Sequence, residues 1–261
     1  MIRPAVFVTV ALLLSGCATQ MTPSRSEPLD RATRLAIEDP RVVSMADVLA
    51  ATAGHRHSLV GEARLSLEAP SLRFSRPQRI ALMRPASLRV EILGLFNQIA
   101  AILTTDGTRY QFYDAGNPGI EEGETGRGLL WQVARVDLEP DEVVGLLLGA
   151  PVHPGSLLEE AGLLHDGTLL LAFRYAEEGS RRVFEFDASG QLARVRQRSA
   201  DDRLLWEAAY SDYRTRREGA FAHQIDVDFP AQAARTSFRF QTAELNRDLP
   251  ASTFVLEKPS R

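Results

Sequence analysis

The chain has 261 residues, of which 44% are hydrophobic and 25% are charged, and its formal net charge is −4 at pH 7. This length is enough for one substantial hydrophobic core, and because the sequence shows no internal repeat and no second linker, we expect one folded domain. The acidic balance and the lack of a basic stripe argue against a nucleic-acid partner.

The first seventeen residues predict a cleaved and lipid-modified leader. Arg3 precedes an apolar run over 5–14 that is too short to span a bilayer, and small residues then lead to Cys17. The ending "LSGC" resembles the bacterial lipobox, whose cysteine becomes the acylated first residue of the mature protein. We therefore predict a signal peptide over 1–16 and lipidation of Cys17. The alternative is an ordinary secretory signal that contains a cysteine by chance.

Two further features of the leader bear on the compartment. Cys17 is the only cysteine in the chain, so an internal disulfide cannot form. Ala18 follows it, where an Asp would resemble an inner-membrane retention signal, so we expect an outer-membrane anchor with the domain facing the periplasm. Residues 17–38 are mostly polar and are predicted to be a lipidated tether, and residues 39–261 are predicted to be the folded domain.

The domain is predicted to begin with a helix. Asp39 is a suitable N-cap, Pro40 suits the first helical position, and Gly54 stands where a helix commonly ends. From Ser58 onwards apolar residues alternate with charged ones, as in "SLVGEARLSLE", which is typical of an antiparallel strand with one solvent-exposed face. Asp-Gly pairs mark hairpin turns. We expect about eleven strands.

One segment interrupts the strands. The run "GRGLLWQVARVDLEPDEVVGLLLGAPV" predicts one or two helices, with Pro140 in a first helical position and Gly149 and Pro151 ending the apolar stripe. Strands, a helical insert and then more strands predict an α+β fold, in which a large antiparallel sheet carries helices on one face.

This order of elements resembles the LolA/LolB family of bacterial lipoprotein carriers and receptors. The likeness spans about residues 55–258 and includes the "DLEPDEVVGLLLG" helix and the closing "RDLPASTFVLEKP" segment. It implies a curved, unclosed half-barrel whose concave apolar face is covered by helices around a cavity for acyl chains. The implied partners are membrane lipids, the acyl chains of lipoproteins and a periplasmic lipoprotein carrier. The lipobox resembles the membrane-anchored member of the family.

The stretch "LRVEILGLFNQIAAIL" places Leu95 and Phe96 at a loop tip, where polar turn residues are the rule. In the strand order this loop matches one that carries an exposed leucine in the membrane-anchored member. We therefore predict that Leu95, helped by Phe96, contacts the membrane or an incoming acyl chain, with Gly94 giving the backbone its freedom. The alternative is that both side chains fold back beneath a helix.

The cavity that the resemblance implies needs apolar walls. The candidates for its lining are Val90, Ile92, Trp131, Leu146, Leu147, Phe184, Trp206 and Phe238. An open cavity of several hundred cubic ångströms would favour a lipid ligand. A concave face filled by large side chains would favour the alternative function, in which a structural or assembly lipoprotein docks a protein partner.

Residues for catalysis or metal binding do not form a recognisable pattern. His55 and His57 lie at a helix-to-strand junction, and no Cys or carboxylate spacing supports a metal there. The G-x-S-x-G, P-loop and G-x-G-x-x-G motifs do not occur. We therefore predict a protein that is not an enzyme, with no catalytic residue, no metal site and no cofactor.

Overall fold

The computed structural model describes residues 28–256, except for 71, 127, 131–136, 153 and 177–178. The predicted signal peptide, Cys17 and Trp131 lie outside the described residues. The α-helices with described bounds are α1 (Pro28–Arg31), α2 (Pro40–His55) and α3 (Pro140–Leu147), and two short 3-10 turns span Pro230–Gln232 and Ala251–Phe254.

In the described part of the chain, fourteen strands form one antiparallel sheet. They are β1 (Thr33–Leu35), β2 (Ser58–Ala69), β3 (Leu72–Met83), β4 (Ser87–Leu93), β5 (Ile99–Thr105), β6 (Arg109–Asp114), β7 (Asn117–Glu124), β8 (Leu157–Leu163), β9 (Leu169–Arg174), β10 (Arg181–Phe186), β11 (Leu192–Arg198), β12 (Leu204–Arg216), β13 (Gly219–Phe229) and β14 (Ala234–Leu245).

The sheet consists of two meanders, β2–β7 and β8–β14, which join where β14 pairs with β2. Its edges are β1 and β7, so the sheet is curved but not closed, as predicted. The predicted number of strands was too low because β1, β7 and β8 were not recognised. These strands lie at or next to an edge and bury one face incompletely, so their sequences lack a clear apolar alternation.

The first long helix, α2, begins as predicted. The Asp39 carboxylate accepts a bond from the Arg41 backbone N–H at 3.0 Å, and Pro40 occupies the first turn. Bonding to the Arg41 side chain, and to its backbone, lowers the pKa of Asp39 to about 2. The helix runs through Gly54 to His55, one residue beyond the predicted end. Its buried Val42 and Leu49 join the main core on the concave face of the sheet.

The second long helix, α3, covers the other half of the concave face. Pro140 occupies its first turn, and Glu139 and Glu142 form a reciprocal capping box. Val143 and Leu147 are buried in the main core, and the helix contacts β4. The helical part of the interrupting segment is thus confirmed at 140–147.

The N-terminal end of the described chain is folded onto the sheet. Residues 28–35 fall within the segment predicted as a tether, but they form α1 and β1, and β1 pairs with β8. Leu29 of α1 joins Leu170 and Val183 in a small cluster on the convex face. The proposed tether is accordingly restricted to residues 17–27. No helix in the described part of the chain combines the length and apolar character needed to cross a membrane.

Candidate functional site

An apolar cavity of about 120 Å³ lies between the concave face of the first meander and helix α3. Four predicted residues contribute to its wall: Val90 and Ile92 from β4, Leu147 from α3 and Phe238 from β14. The other described lining residues are Leu65, Leu67, Leu72, Phe74, Gln78, Leu88, Leu103, Phe112, Leu130 and Val143. The structure therefore brings together one half of the predicted set.

Of the other four predicted lining residues, Trp131 lies outside the described residues, and Leu146, Phe184 and Trp206 are not part of the described lining. Leu146 is buried on another side of α3, where its carbonyl accepts a bond from the Tyr210 hydroxyl at 3.2 Å. Phe184 packs edge-on against Phe173, with their ring centroids 5.5 Å apart. The Arg182 guanidinium lies over Trp206, and its Cζ is 5.0 Å from the centroid of the Trp206 ring. Inward-facing residues of core and of cavity wall follow the same alternation, so the sequence pattern does not separate them.

The cavity is smaller than expected. Ligand sites commonly have roughly 300–1,000 Å³, whereas this one has about 120 Å³. Large side chains such as Leu88 and Leu103, which are buried, fill much of the concave face together with α3. Most of that face is therefore core, and the cavity is a remaining gap at the end of the sheet where β3 extends beyond β4.

Gln78 is the one polar residue of the described lining, and the sequence analysis missed it. Its side chain is 1% exposed, and neither amide atom, Oε1 or Nε2, has a hydrogen-bond partner among the described residues. Gln78 pairs with Ala63 on one side and Ile92 on the other. Gln78 alternates in step with Phe74, Ile80 and Leu82, which face inward from the same strand. This alternation was the signal that could have identified Gln78 as a polar residue on an apolar face.

The open rim of the cavity lies at one end of the sheet. Strand β3 pairs with β4 only from Gln78 to Met83, so residues 72–77 extend beyond the point where β4 ends. Leu72 is 40% exposed there, and Phe74 is partly buried. The loop after β4 leaves the sheet at the same end. The cavity rim and the 94–98 loop therefore face the same side of the molecule.

The 94–98 loop exposes the two predicted apolar side chains. Leu95 is 85% exposed and Phe96 is 90% exposed, so neither folds back beneath a helix. The loop is held by backbone and side-chain bonds to Gln98: its carbonyl accepts from the Gly94 N–H at 2.8 Å, and its Oε1 accepts from the Phe96 N–H at 2.9 Å. The tip is therefore hydrogen-bonded although its side chains are not packed.

The role expected for Gly94 was wrong. The residue of this loop with a left-handed backbone is Asn97, with φ of 63°, and not Gly94. A Cβ at Gly94 would lie 2.6 Å from Nε2 of Gln98, so a larger residue there would displace the Gln98 side chain that accepts from the Phe96 N–H. Asn tolerates the left-handed region better than most residues, which suits it to this turn.

A buried arginine holds helix α3 over the sheet. Arg182 donates to Oε1 of Gln197 at 2.6 Å, to the Pro151 carbonyl at 2.6 Å and to Oε1 of Glu142 at 3.2 Å. Burial raises the pKa of Glu142, and the nearby Arg182 charge opposes that shift. Arg182 therefore joins the first turn of α3 to strand β11, next to a polar pocket of about 420 Å³ that also includes Trp206.

A wider depression of about 970 Å³ lies on the convex face, and charged side chains make up much of its lining. Its arginines are largely paired: Arg194 and Arg196 both contact Glu185 and Glu207, and Arg235 pairs with Asp228. An open surface with many paired charges suits an acyl chain less well than an apolar wall does. For an apolar ligand, the smaller cavity on the concave face is the better site despite its size.

The described residues hold no group of three or more His, Cys, Asp or Glu side chains that could bind a metal ion. His223 is fully buried, with Nδ1 3.2 Å from the Phe240 carbonyl and Nε2 3.0 Å from an Arg216 nitrogen. Burial lowers its pKa. A neutral ring that donates from Nδ1 and accepts at Nε2 fits these contacts, so His223 is a buried, hydrogen-bonded residue of β13 outside the described cavity lining.

Comparison with known proteins identifies the fold. No protein-family model and no curated protein matches the chain. A DUF1329 family protein from Desulfovibrio piger ATCC 29098 matches with a TM-score of 0.59 and 13% identity, over 82% of this chain and 97% of that one. A LolA superfamily protein from Nitrosomonas europaea matches with a TM-score of 0.57 and 14% identity, over 81% and 97%. An outer membrane lipoprotein-sorting protein domain from Vibrio parahaemolyticus matches with a TM-score of 0.55 and 9% identity, over 81% and 95%.

Proposed function

Since this chain has the LolA/LolB-like fold, we propose that it is a non-enzymatic lipoprotein of the bacterial envelope that binds acyl chains. In this proposal Cys17 is acylated and anchors the protein to the outer membrane, with the domain facing the periplasm. The protein takes part there in the reception or transfer of lipoproteins or lipids. The observation that carries the proposal is that an apolar cavity and an exposed apolar loop tip lie at the same end of the sheet.

The cavity supplies a driving force that requires no ionisable group. Burial of a methylene is worth about 0.8 kcal/mol, so a chain segment of eight carbons would gain roughly 6 kcal/mol before ordering costs are subtracted. A cavity of about 120 Å³ accommodates only part of such a chain. The rest of the chain would lie along Phe74 and Leu72 at the open rim.

The loop tip supplies contact with the membrane. Leu95 and Phe96 together would gain roughly 3–5 kcal/mol on burial in an apolar phase. Residues 18–27 would act as a tether with a reach of about 17 Å, which keeps the tip at a high effective concentration near the bilayer. The rim of the cavity would then open towards the lipid surface.

The test of this proposal is the lipid content of the purified protein. We expect mass spectrometry of an organic extract to detect acyl lipid at near one molecule per chain for the wild type. Val90→Phe places a larger side chain in the cavity wall and is expected to reduce bound lipid at least fivefold. The matched control is Val43→Phe on the outer face of α2, where Val43 is 45% exposed, and this variant is expected to retain the lipid.

Two outcomes would contradict the proposal. One is the absence of lipid from the wild-type extract. The other is an equal amount of lipid in the Val90→Phe and Val43→Phe extracts, because the lipid would then lie outside the cavity.

The small cavity favours a second candidate function, the docking of a protein partner in the envelope. Large side chains fill most of the concave face, and Leu95 and Phe96 would then contact a protein instead of lipid. If the protein docks a partner, Val90→Phe should leave its function in cells unchanged, whereas Leu95→Glu should abolish that function. Acyl-chain binding in the cavity predicts a loss for both variants.

A further inference from the structure

The unpaired amide of Gln78 is the feature of the cavity that the proposed function does not explain. Burying a donor and an acceptor without partners disfavours the folded state, and buried side-chain amides in native proteins are normally paired. Gln78 is buried at 1% exposure, and both amide atoms lack a partner among the described residues. Its side chain faces the apolar cavity. A leucine would fill the same place without this cost.

The two atoms of the amide specify what would pair with them. Oε1 accepts and Nε2–H donates, and both lie on the same edge of a planar group. A neutral carboxylic acid satisfies both at once, since its O–H donates to Oε1 while its carbonyl accepts from Nε2. A primary carboxamide does the same. An ester or an ionised carboxylate has acceptors only and leaves Oε1 unpaired.

The surroundings favour a neutral group. Of the described lining residues, none is charged, so an ionised carboxylate would have no cation to offset its desolvation. Arg76, two residues nearer the rim on β3, is exposed and is not among those lining residues.

We propose that the cavity binds a free fatty acid in its neutral form, with the carboxyl group paired to the Gln78 amide. Gln78 lies four residues from Phe74 and six from Leu72 along β3, which corresponds to about 13 Å and 20 Å. The chain would extend from Gln78 past these side chains to the open rim, because the cavity is too small for all of it. This proposal rests on the proposed function and specifies its ligand and a specificity-determining residue.

The test compares ligands that differ in a single hydrogen-bond donor. The full chain carrying Cys17→Ser, which lacks the acyl acceptor, is titrated with dansyl-labelled undecanoic acid. Dodecanoic acid, dodecanamide and methyl dodecanoate then compete with this probe. We expect the acid and the amide to bind at least tenfold more tightly than the methyl ester.

Substitution of Gln78 is expected to remove this preference alone. Gln78→Leu should weaken the acid and the amide at least tenfold while changing the methyl ester less than twofold, and its melting temperature should be no lower than that of the wild type. Gln78→Met serves as a second apolar variant if the leucine variant folds poorly. Arg76→Met should leave all three affinities unchanged.

The outcomes separate this proposal from the proposed function. Equal affinity of the wild type for acid and ester would overturn the role of Gln78 and leave acyl-chain binding intact. Loss of acid binding in Arg76→Met but not in Gln78→Leu would also overturn it, since an ionised carboxylate at the rim would then be the ligand group. Failure of the probe and all three ligands to bind would overturn both.

Discussion

Leu95 and Phe96 are more exposed than any other large apolar side chain among the described residues, at 85% and 90%. Their positions are fixed by hydrogen bonds of the loop backbone to Gln98. Because the backbone is held independently of the two side chains, the tip can present them to an apolar phase without unfolding. The loop therefore combines a hydrogen-bonded backbone with two apolar side chains whose burial in an apolar phase would be favourable.

Leu95→Glu tests whether this surface contacts the membrane. An exposed substitution away from packing contacts changes the free energy of unfolding by about 0.5 kcal/mol or less. The loss of one buried leucine would reduce vesicle binding at least tenfold, since a factor of ten corresponds to about 1.4 kcal/mol. Co-sedimentation of the Cys17→Ser protein with lipid vesicles measures it. Leu157→Glu on β8, where Leu157 is 64% exposed, is the matched control and should bind normally.

A fall in stability of several kcal/mol for Leu95→Glu would contradict the exposed tip, because a buried unpaired charge has that effect. Equal vesicle binding by the two glutamate variants would show that the tip has no special role.

Among the secondary-structure elements, α3 determines whether the cavity exists, since its Val143 and Leu147 form the wall opposite the sheet. The helix is held at its first turn by the capping box and by Arg182, which is also bonded to Gln197 on β11. The arginine thus positions the wall without contacting the ligand.

Arg182→Met removes this connection. Loss of one partner from a buried charged network commonly costs about 3–5 kcal/mol, because the remaining acceptors stay buried and unpaired. We expect a fall of this size in the free energy of unfolding, measured by urea denaturation. Arg174→Met, which removes the exposed ion pair with Glu159, should cost less than about 1 kcal/mol. Similar losses for both variants would show that Arg182 has no special part in stability.

The sequence predicted some elements better than others, for physical reasons. Inner strands such as β2 show strict alternation because one face is buried along their whole length. The helix starts at Pro40 and Pro140 were predicted correctly because a proline in the first turn next to acidic residues is a signal within the local sequence. The edge strands β1 and β7 bury too little surface to impose a pattern. Whether an inward-facing residue lines the cavity or packs in the core depends on how distant segments of the chain pack. A local sequence pattern does not predict that packing.

In the molecule as a whole, the two meanders have different roles. The second meander, with α2, forms a filled core, as the buried Phe184 and Val195 show. The first meander and α3 form most of the wall of the apolar cavity, and the exposed loop lies at the same end. The described N-terminal segment pairs with the opposite edge through β1, so residues 33–35 and the loop tip belong to different halves of the sheet.

Photo-crosslinking tests the central claim, acyl-chain binding in this cavity, most directly. Dodecanoic acid with a diazirine in its chain is bound to the Cys17→Ser protein and irradiated, and the labelled residues are mapped by mass spectrometry. We expect adducts within 72–78, 88–92 or 143–147, and their loss when unlabelled dodecanoic acid is added in excess. Adducts confined to the loop tip or to the outer face of α2, or adducts that the competitor does not reduce, would contradict the claim.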